Sequence, residues 1–228
     1  MQPTICAVMV TGIPGREYLA KLAIRAFTEQ DHPHKHLLVI NDGDPLPLDA
    51  VADCTELRPT PGMSLGQLRN YALDHLPSGV KYVVQWDDDD YSHPSRMRRQ
   101  LQYQGETAAS VLRYVTHCNL QTGNMRVCVP TRRPNHGFPG TVMHRADTTF
   151  RYPEIGKGED TEFIRKWVRT SQLVIINNNT SPTLYVRSFH GKNTWSERHV
   201  MGFPSGNVAL NHENRHYVSR LRQAYLGR

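Results

Sequence analysis

Val80-Lys-Tyr-Val-Val-Gln-Trp-Asp-Asp-Asp-Asp90 decides the reading, because a run rich in β-branched and aromatic residues passes directly into four consecutive carboxylates. The first seven residues have the composition of a buried strand, so the tetrad marks its carboxyl end. In an open α/β sheet, ligands bind in the crevice outside the carboxyl ends of the strands. Four adjacent carboxylates repel one another, and keeping them ionised needs a cation or many nearby donors. A divalent metal is the economical counter-charge. The competing reading is a solvated acidic turn at the start of the next helix, whose N-terminus favours negative charge.

Working outward from the tetrad, the same order repeats. Thr4 to Val10 form an apolar run, and Leu19, Leu22, Ala23, Ala26 and Phe27 recur at helical spacing. Asp31-His-Pro33 breaks that helix, Leu37 to Ile40 form a short strand, and Asn41-Asp-Gly43 ends it with Asp42 at its carboxyl edge. A Pro/Gly-rich connector around Pro59 to Gly62 precedes a helix carrying Leu65, Leu68, Ala72 and Leu76. Beyond the tetrad, Ser92 and Pro94 read as the entry to a third helix with Met97 and Leu101. Alternating strands and helices predict a three-layer α/β/α domain with a mainly parallel, Rossmann-like central sheet.

The second half is less regular. Strands are expected at Ser110 to Val115, Met125 to Val129, Thr141 to His144, Leu173 to Ile176 and Leu184 to Phe189. A helix with Phe163, Ile164, Trp167 and Val168 follows Gly156-Lys-Gly-Glu-Asp160. Ser196 to Asn207 reads as a flexible loop or lid before a terminal helix with Tyr217, Val218, Leu221 and Tyr225. The expected organisation is one domain over residues 1–195, with a first half to about 105 and a less regular half from about 106. Residues 196–228 then supply the loop and a C-terminal helix packed on the same domain.

Length and composition bound the alternatives. A chain of 228 residues with 38% hydrophobic residues suits one globular domain, and no apolar run approaches the ~18 residues of a membrane span. Cys6, Cys54, Cys118 and Cys128 are scattered without a Cys-x-x-Cys pair, which favours reduced thiols. No basic leader with an apolar stretch opens the sequence, so a cytoplasmic setting is expected. A net charge of +6 suits phosphate-bearing ligands. His32, His34 and His36 alternate in a stretch far from the carboxyl edges and read as a solvated loop rather than a metal site.

Five segments, in order, resemble the motifs of family 2 glycosyltransferases with the GT-A fold: Thr11-Gly-Ile-Pro-Gly-Arg-Glu-Tyr-Leu19, Val39-Ile-Asn-Asp-Gly43, Leu65-Gly-Gln-Leu-Arg-Asn70, Trp86 to Asp90, and Gly158-Glu-Asp-Thr-Glu-Phe163. Together they cover roughly residues 4 to 195. The resemblance implies a nucleotide site built from Thr11, Arg16, Asp42, Arg69, Asn70 and Asp87. Asp87 and Asp89 match the Asp-x-Asp (DxD) signature that holds Mn²⁺ or Mg²⁺ on the diphosphate. His190, in Phe189-His-Gly-Lys-Asn-Thr-Trp195, resembles a late histidine completing the metal site. Asp160 matches the general base. Asp88, Asp90, Glu159 and Asn193 are further candidates.

The implied reaction is metal-dependent transfer of a sugar, with inversion, from a nucleotide-sugar donor to an acceptor hydroxyl. A UDP-sugar is the leading donor, although Asn41-Asp42 replaces the two acids that many relatives carry before the glycine. The acceptor classes considered are a glycan and a nucleic acid, including hydroxylated bases. Two alternatives stay open at this point. Carboxylates with Mg²⁺ also serve nucleotidyl transfer and phosphate hydrolysis. The basic pI and the C-terminal Arg215, Arg220, Arg222 and Arg228 suit a nucleic-acid-binding module. Arg132 and Arg133, in the Pro130 to Gly140 loop, read as a solvated charged loop, with contact to an acceptor as the alternative.

Overall fold

The computed structural model describes residues 2–48, 51–129, 136–204 and 209–226. Its large sheet has seven strands. They are β1 (Thr4–Thr11), β2 (Lys35–Asn41), β3 (Cys54–Leu57), β4 (Val80–Asp87), β6 (Ala109–Leu112), β9 (Met143–Arg145) and β10 (Leu173–Ile176), in the order β10-β6-β9-β4-β1-β2-β3. A smaller sheet joins β5 (Tyr91–Ser92), β11 (Tyr185–Phe189), β7 (Val115–Asn119) and β8 (Met125–Cys128), in the order β5-β11-β7-β8. The helices are α1 (Glu17–Thr28), α2 (Leu65–Asp74), α3 (Arg96–Gln104), α4 (Glu159–Arg169), α5 (Glu197–Met201) and α6 (His212–Leu226).

The two-residue period of β1 builds both faces of the core. Ile5, Ala7 and Met9 pack with Ala20, Ala23 and Phe27 of α1 and Met97 of α3, whereas Cys6 and Val8 pack with Leu68 and Ala72 of α2. On the far side of the sheet, Phe163, Ile164 and Trp167 of α4 cover Ala109, Val111 and Val142. Helices on both sheet faces make the expected three layers. β1, β2, β3 and β4 are parallel, as are β6 and β10, while β9 runs antiparallel between β4 and β6.

Several expectations are corrected. The run Ser110 to Val115 is two strands, because the chain turns a corner at Arg113-Tyr114. Asn178 holds that corner, its side chain accepting from Tyr114 N (2.9 Å) and donating to Tyr114 O (2.8 Å). The connector before α2 contains β3, an edge strand whose polar Thr55 and Glu56 hid it. A 3₁₀ turn at Pro139–Thr141 delays β9 to Met143. Tyr91 and Ser92 are strand rather than helix entry, and α3 starts at Arg96. Residues 196–204 are not simply a loop, since Ser196 caps α5 by accepting from His199 N and Val200 is buried. His32 is buried against Pro3 O (2.9 Å), not solvated. All four cysteines are free, and no helix among the described residues is long and apolar enough to cross a membrane.

Candidate functional site

The carboxyl ends of the parallel neighbours β2, β1 and β4 lie side by side along one edge of the sheet. Along this edge, the turns after β1 and β2 touch. Gly12 has φ +131°, and a Cβ there would lie 2.1 Å from Asp42 Oδ1; a Cβ on Gly43 would lie 2.5 Å from Gly12 O. Only glycines allow that approach. Asn41 is buried and anchors the β2 turn through Glu56 Oε1 (2.5 Å) and Asp44 O (2.7 Å), leaving Asp42 exposed. Beside these turns is a cavity of about 510 Å³ lined by Thr11, Gly12, Asp42, Asp44 and Arg58 among others. Arg58 closes its rim by donating to Gly43 O (2.5 Å).

The tetrad follows β4, and its four carboxylates have different partners. Asp87 accepts from Arg69 Nη2 (3.1 Å), Gln85 Nε2 (3.0 Å) and the Tyr185 hydroxyl (2.9 Å). Asp88 accepts from the Thr11 hydroxyl (2.9 Å) and Arg16 Nη2 (2.6 Å). Asp89 meets Arg16 Nη2 (2.5 Å), His190 Nε2 (3.1 Å) and Asn193 Nδ2 (3.4 Å). Asp90 accepts from the Tyr185 hydroxyl (2.5 Å) and Ser188 N (2.7 Å). Arginines and hydroxyls thus supply much of the compensation that the sequence suggested a metal would provide.

Their acidities diverge accordingly. Burial and the Asp89 charge push Asp88 up despite Arg16 and Thr11. Burial, Asp89 and Asp87 raise Asp90 well above the carboxylate range. Burial also opposes ionisation of Asp89, but the His190 hydrogen bond and the Arg16 and Arg187 charges outweigh it and bring its pKa down. Asp89 is the tetrad member that has an imidazole beside it, and a carboxylate oxygen with an imidazole nitrogen is an O/N pair that fits Mn²⁺ better than Mg²⁺. Among the described residues, no three His, Cys, Asp or Glu side chains are grouped to hold a metal, so diphosphate oxygens and water would complete the shell. Lys192 N donates to His190 Nδ1 (3.3 Å), which leaves Nε2 to carry the proton toward Asp89. Ligation through Nε2 requires that proton to leave.

Arg69 joins this edge to the second half. It is 5% exposed, and its guanidinium pairs with Asp87 (3.1 Å) and with Glu159 at the start of α4 (3.0 Å). Gly158 precedes α4 in the left-handed conformation, φ +78°, so Asp160 lies within the first turn rather than capping it. Burial and the Glu159 charge push Asp160 up to about 6 against the pull of Arg69, with Asp87 also raising it. Asp160 Oδ1 accepts from Thr161 N (2.6 Å). Asn70 holds the neighbouring loop, exchanging bonds with Tyr152 O (2.9 Å) and Tyr152 N (2.8 Å).

Hydrogen bonds and ion pairs thus link Thr11 and Arg16 to Asp88, and Arg16, His190 and Asn193 to Asp89, while Arg69 joins Asp87 to Glu159, the neighbour of Asp160 in the first turn of α4. Arg69 Nε and Nη2 are engaged by Glu159 and Asp87, and the Asn70 amide by Tyr152. Asp88 and Asp90 have their oxygens engaged by Arg16, Thr11, Tyr185 and Ser188. Arg132, Arg133, Arg228 and part of the Ser196 to Asn207 segment lie outside the described residues. Sequence reading missed Gln85, Tyr185 and Gly140. A Cβ at Gly140 would lie 2.9 Å from Asp87 Oδ2 and 3.4 Å from the Tyr185 hydroxyl, so the glycine admits Asp87 to its partners. The Pro-Gly pair at 139–140 was its only sequence signal.

No family model matches the chain, and no curated protein matches its sequence. Solved structures do share its fold. Staphylococcus aureus TarS 1-349 in complex with UDP-GlcNAc superposes with a TM-score of 0.64 at 14% identity, covering 96% of this chain and 65% of that one. TarS 1-349 alone gives 0.62 at 14% identity, covering 81% and 60%. The mannosyltransferase PcManGT from Pyrobaculum calidifontis, in complex with GDP-Man and Mn²⁺, gives 0.61 at 13% identity, covering 84% and 59%. The chain thus spans about 60% of the length of TarS 1-349. The large sheet with its two helical layers is the GT-A glycosyltransferase fold.

Proposed function

We propose that the chain is a divalent-metal-dependent glycosyltransferase that passes a sugar from a nucleoside-diphosphate sugar to an acceptor hydroxyl with inversion. The observation that supports this reading is the Asp87–Arg69–Glu159 bridge, which ties the end of β4 to the first turn of α4, where Asp160 follows Glu159. Either function alone, cation binding or a carboxyl base, occurs in many folds. Their juxtaposition beside a cavity of nucleoside size is what sugar transfer requires.

In this reading the β1 and β2 turns hold the nucleoside, with Asp42 and Thr11 facing the base and ribose and Asp87 supporting the ribose side. Asp89 and His190, with Asn193 beside them, would hold Mn²⁺ or Mg²⁺, which when bound neutralises charge on the departing diphosphate. Arg16 moves between Asp88 and Asp89 on this account, releasing Asp89 and remaining a cation for the phosphates. Asp160 takes the proton of the attacking hydroxyl. A positioned carboxylate base contributes about 10² to 10⁴-fold, and a pKa raised to about 6 gives Asp160 proton affinity while leaving it ionised at neutral pH. With one base and no covalent nucleophile assigned, a single in-line displacement follows. UDP-sugars are the first donors to try. The four unpaired thiols accord with a cytoplasmic setting.

The test is a screen of UDP-, GDP- and TDP-sugars for slow hydrolysis with and without Mn²⁺. Metal-dependent release of nucleoside diphosphate is the expected outcome. Release of pyrophosphate from nucleoside triphosphates instead would assign the cleft to nucleotidyl transfer.

A further inference from the structure

Charge is divided unequally along the chain. Residues 1–105 contain 10 Lys and Arg against 13 Asp and Glu, whereas residues 106–228 contain 17 against 8. Part of the excess is organised on the small sheet. Arg187 of β11 is in register with His117 of β7, which is in register with Arg126 of β8, so the three side chains form one cross-strand row on one face. Strand spacing puts the two arginine Cα atoms about 10 Å apart with the histidine between them.

Neither guanidinium has an ion pair among the described residues, although both are half-buried. The Arg126 side chain meets the Cys128 thiol, and the carboxylates that feel the Arg187 charge, Asp89 and Asp90, belong to the tetrad. Arg126 Nε and His117 Nε2 are buried without a partner, and His117 is 0% exposed. Half-buried cations standing in a row across adjacent strands are costly unless an anion is meant to join them. The row has a roof. His117 Nδ1 bonds Val200 O of α5, Phe138 and Phe203 contact the imidazole edge-on, and Asn119 Nδ2 ties down Glu197 (2.7 Å). Burial first, then the Arg187, Arg126 and His199 charges, push the imidazole down to about 3, so it stays neutral with a free lone pair at Nε2.

Position links the row to the cleft. Tyr185 and Arg187 share a face of β11, and the Tyr185 hydroxyl touches Asp87 and Asp90. The Arg187 charge is felt by Asp89 and Asp90. The nucleoside cavity lies elsewhere, on the turns after β1 and β2. We propose that Arg126, His117 and Arg187 seat a phosphate group carried by the acceptor, with the guanidinium groups donating to phosphate oxygens and His117 Nε2 accepting from a ligand hydroxyl. The word acceptor rests on the glycosyl-transfer reading; the anion seat itself does not.

Inorganic phosphate is the probe, titrated calorimetrically into the free chain and into the chain saturated with nucleoside diphosphate and Mn²⁺. Phosphate should bind in both titrations. Arg126→Gln should weaken phosphate binding about tenfold or more, Arg126→Lys should retain most of it, and nucleotide binding should be unchanged in both. Arg187→Gln should give the same loss, and should it fail to fold, Arg126 on β8 carries the test. Displacement of phosphate by nucleoside diphosphate would assign the row to the donor and overturn the proposal. So would phosphate binding that ignores Arg126→Gln, or no phosphate binding to the free chain. A chain that binds phosphate through the row but no nucleotide would instead refute the transferase reading alone.

Discussion

The Asp87–Asp90 tetrad and the Arg126–His117–Arg187 row are both dense in like charge, and they are compensated in opposite ways. Every tetrad carboxylate has a donor from a different element: Arg69 from α2, Arg16 before α1, Tyr185 and Ser188 from β11, and His190 after β11. The two guanidinium groups of the row have no ion pair among the described residues, and Arg126 Nε and His117 Nε2 are buried without a partner. A network paired within the fold holds Asp87, Asp88 and Asp90 before ligand arrives, so on the proposed mechanism the reorganisation is confined to Arg16 and His190 around Asp89. A row left uncompensated is completed by what binds to it. On that contrast the donor edge is set by the fold, and the acceptor edge by the acceptor.

The comparison breaks hardest at Asp160. Asp160→Asn should cut turnover about 10² to 10⁴-fold, while calorimetric nucleotide affinity stays near wild type. The wild-type pH profile sharpens the point. The base works ionised, so turnover should rise through about pH 6 and fall below it. A flat profile from pH 5 to 8 would remove Asp160 from the role. The sign for stability is opposite to that for activity. A carboxyl raised in the fold stabilises when protonated, and that contribution is present below its unfolded pKa near 3.8 and lost as pH climbs through about 6.

Arg69 tests the pre-formed network. Arg69→Met leaves Asp87 and Glu159 buried without their shared cation, and should lower unfolding stability in urea by about 3 to 5 kcal/mol. An unchanged midpoint would mean that the bridge does not organise the cleft. The smallest effect is expected at the nucleoside turn. Gly12→Ala meets both a φ of +131° and Asp42 Oδ1, and should cost about 1 to 3 kcal/mol together with weaker nucleotide binding.

The same contrast explains what sequence alone could disclose. β1, β2 and β4 are buried on both faces, so they read as continuous apolar runs, and their carboxyl ends locate Asp42 and the tetrad. Of the small sheet, β8 and β11 are legible as strands, but β7 merges with β6 and the pairing of the strands is hidden, because His117, Asn119, Arg126 and Arg187 share one face and blur alternation. Asp89, His190 and Asn193 were found by resemblance to ordered motifs, and the fold brings them together. The parts played by Arg69 and Tyr185 are long-range pairings of residues that nothing local marks as partners, and Gln85, though only two residues from Asp87, reads as an ordinary strand residue.

The central claim is that the β4 edge binds a nucleoside diphosphate through a cation on Asp89. Calorimetric titration of UDP and GDP into the wild-type chain and Asp89→Ala, each with and without Mn²⁺, tests it most directly. The account predicts that one nucleotide binds wild type more tightly with Mn²⁺ and that Asp89→Ala loses the metal-dependent gain, about tenfold or more. Equal binding by both proteins regardless of metal, or no binding at all, would contradict it.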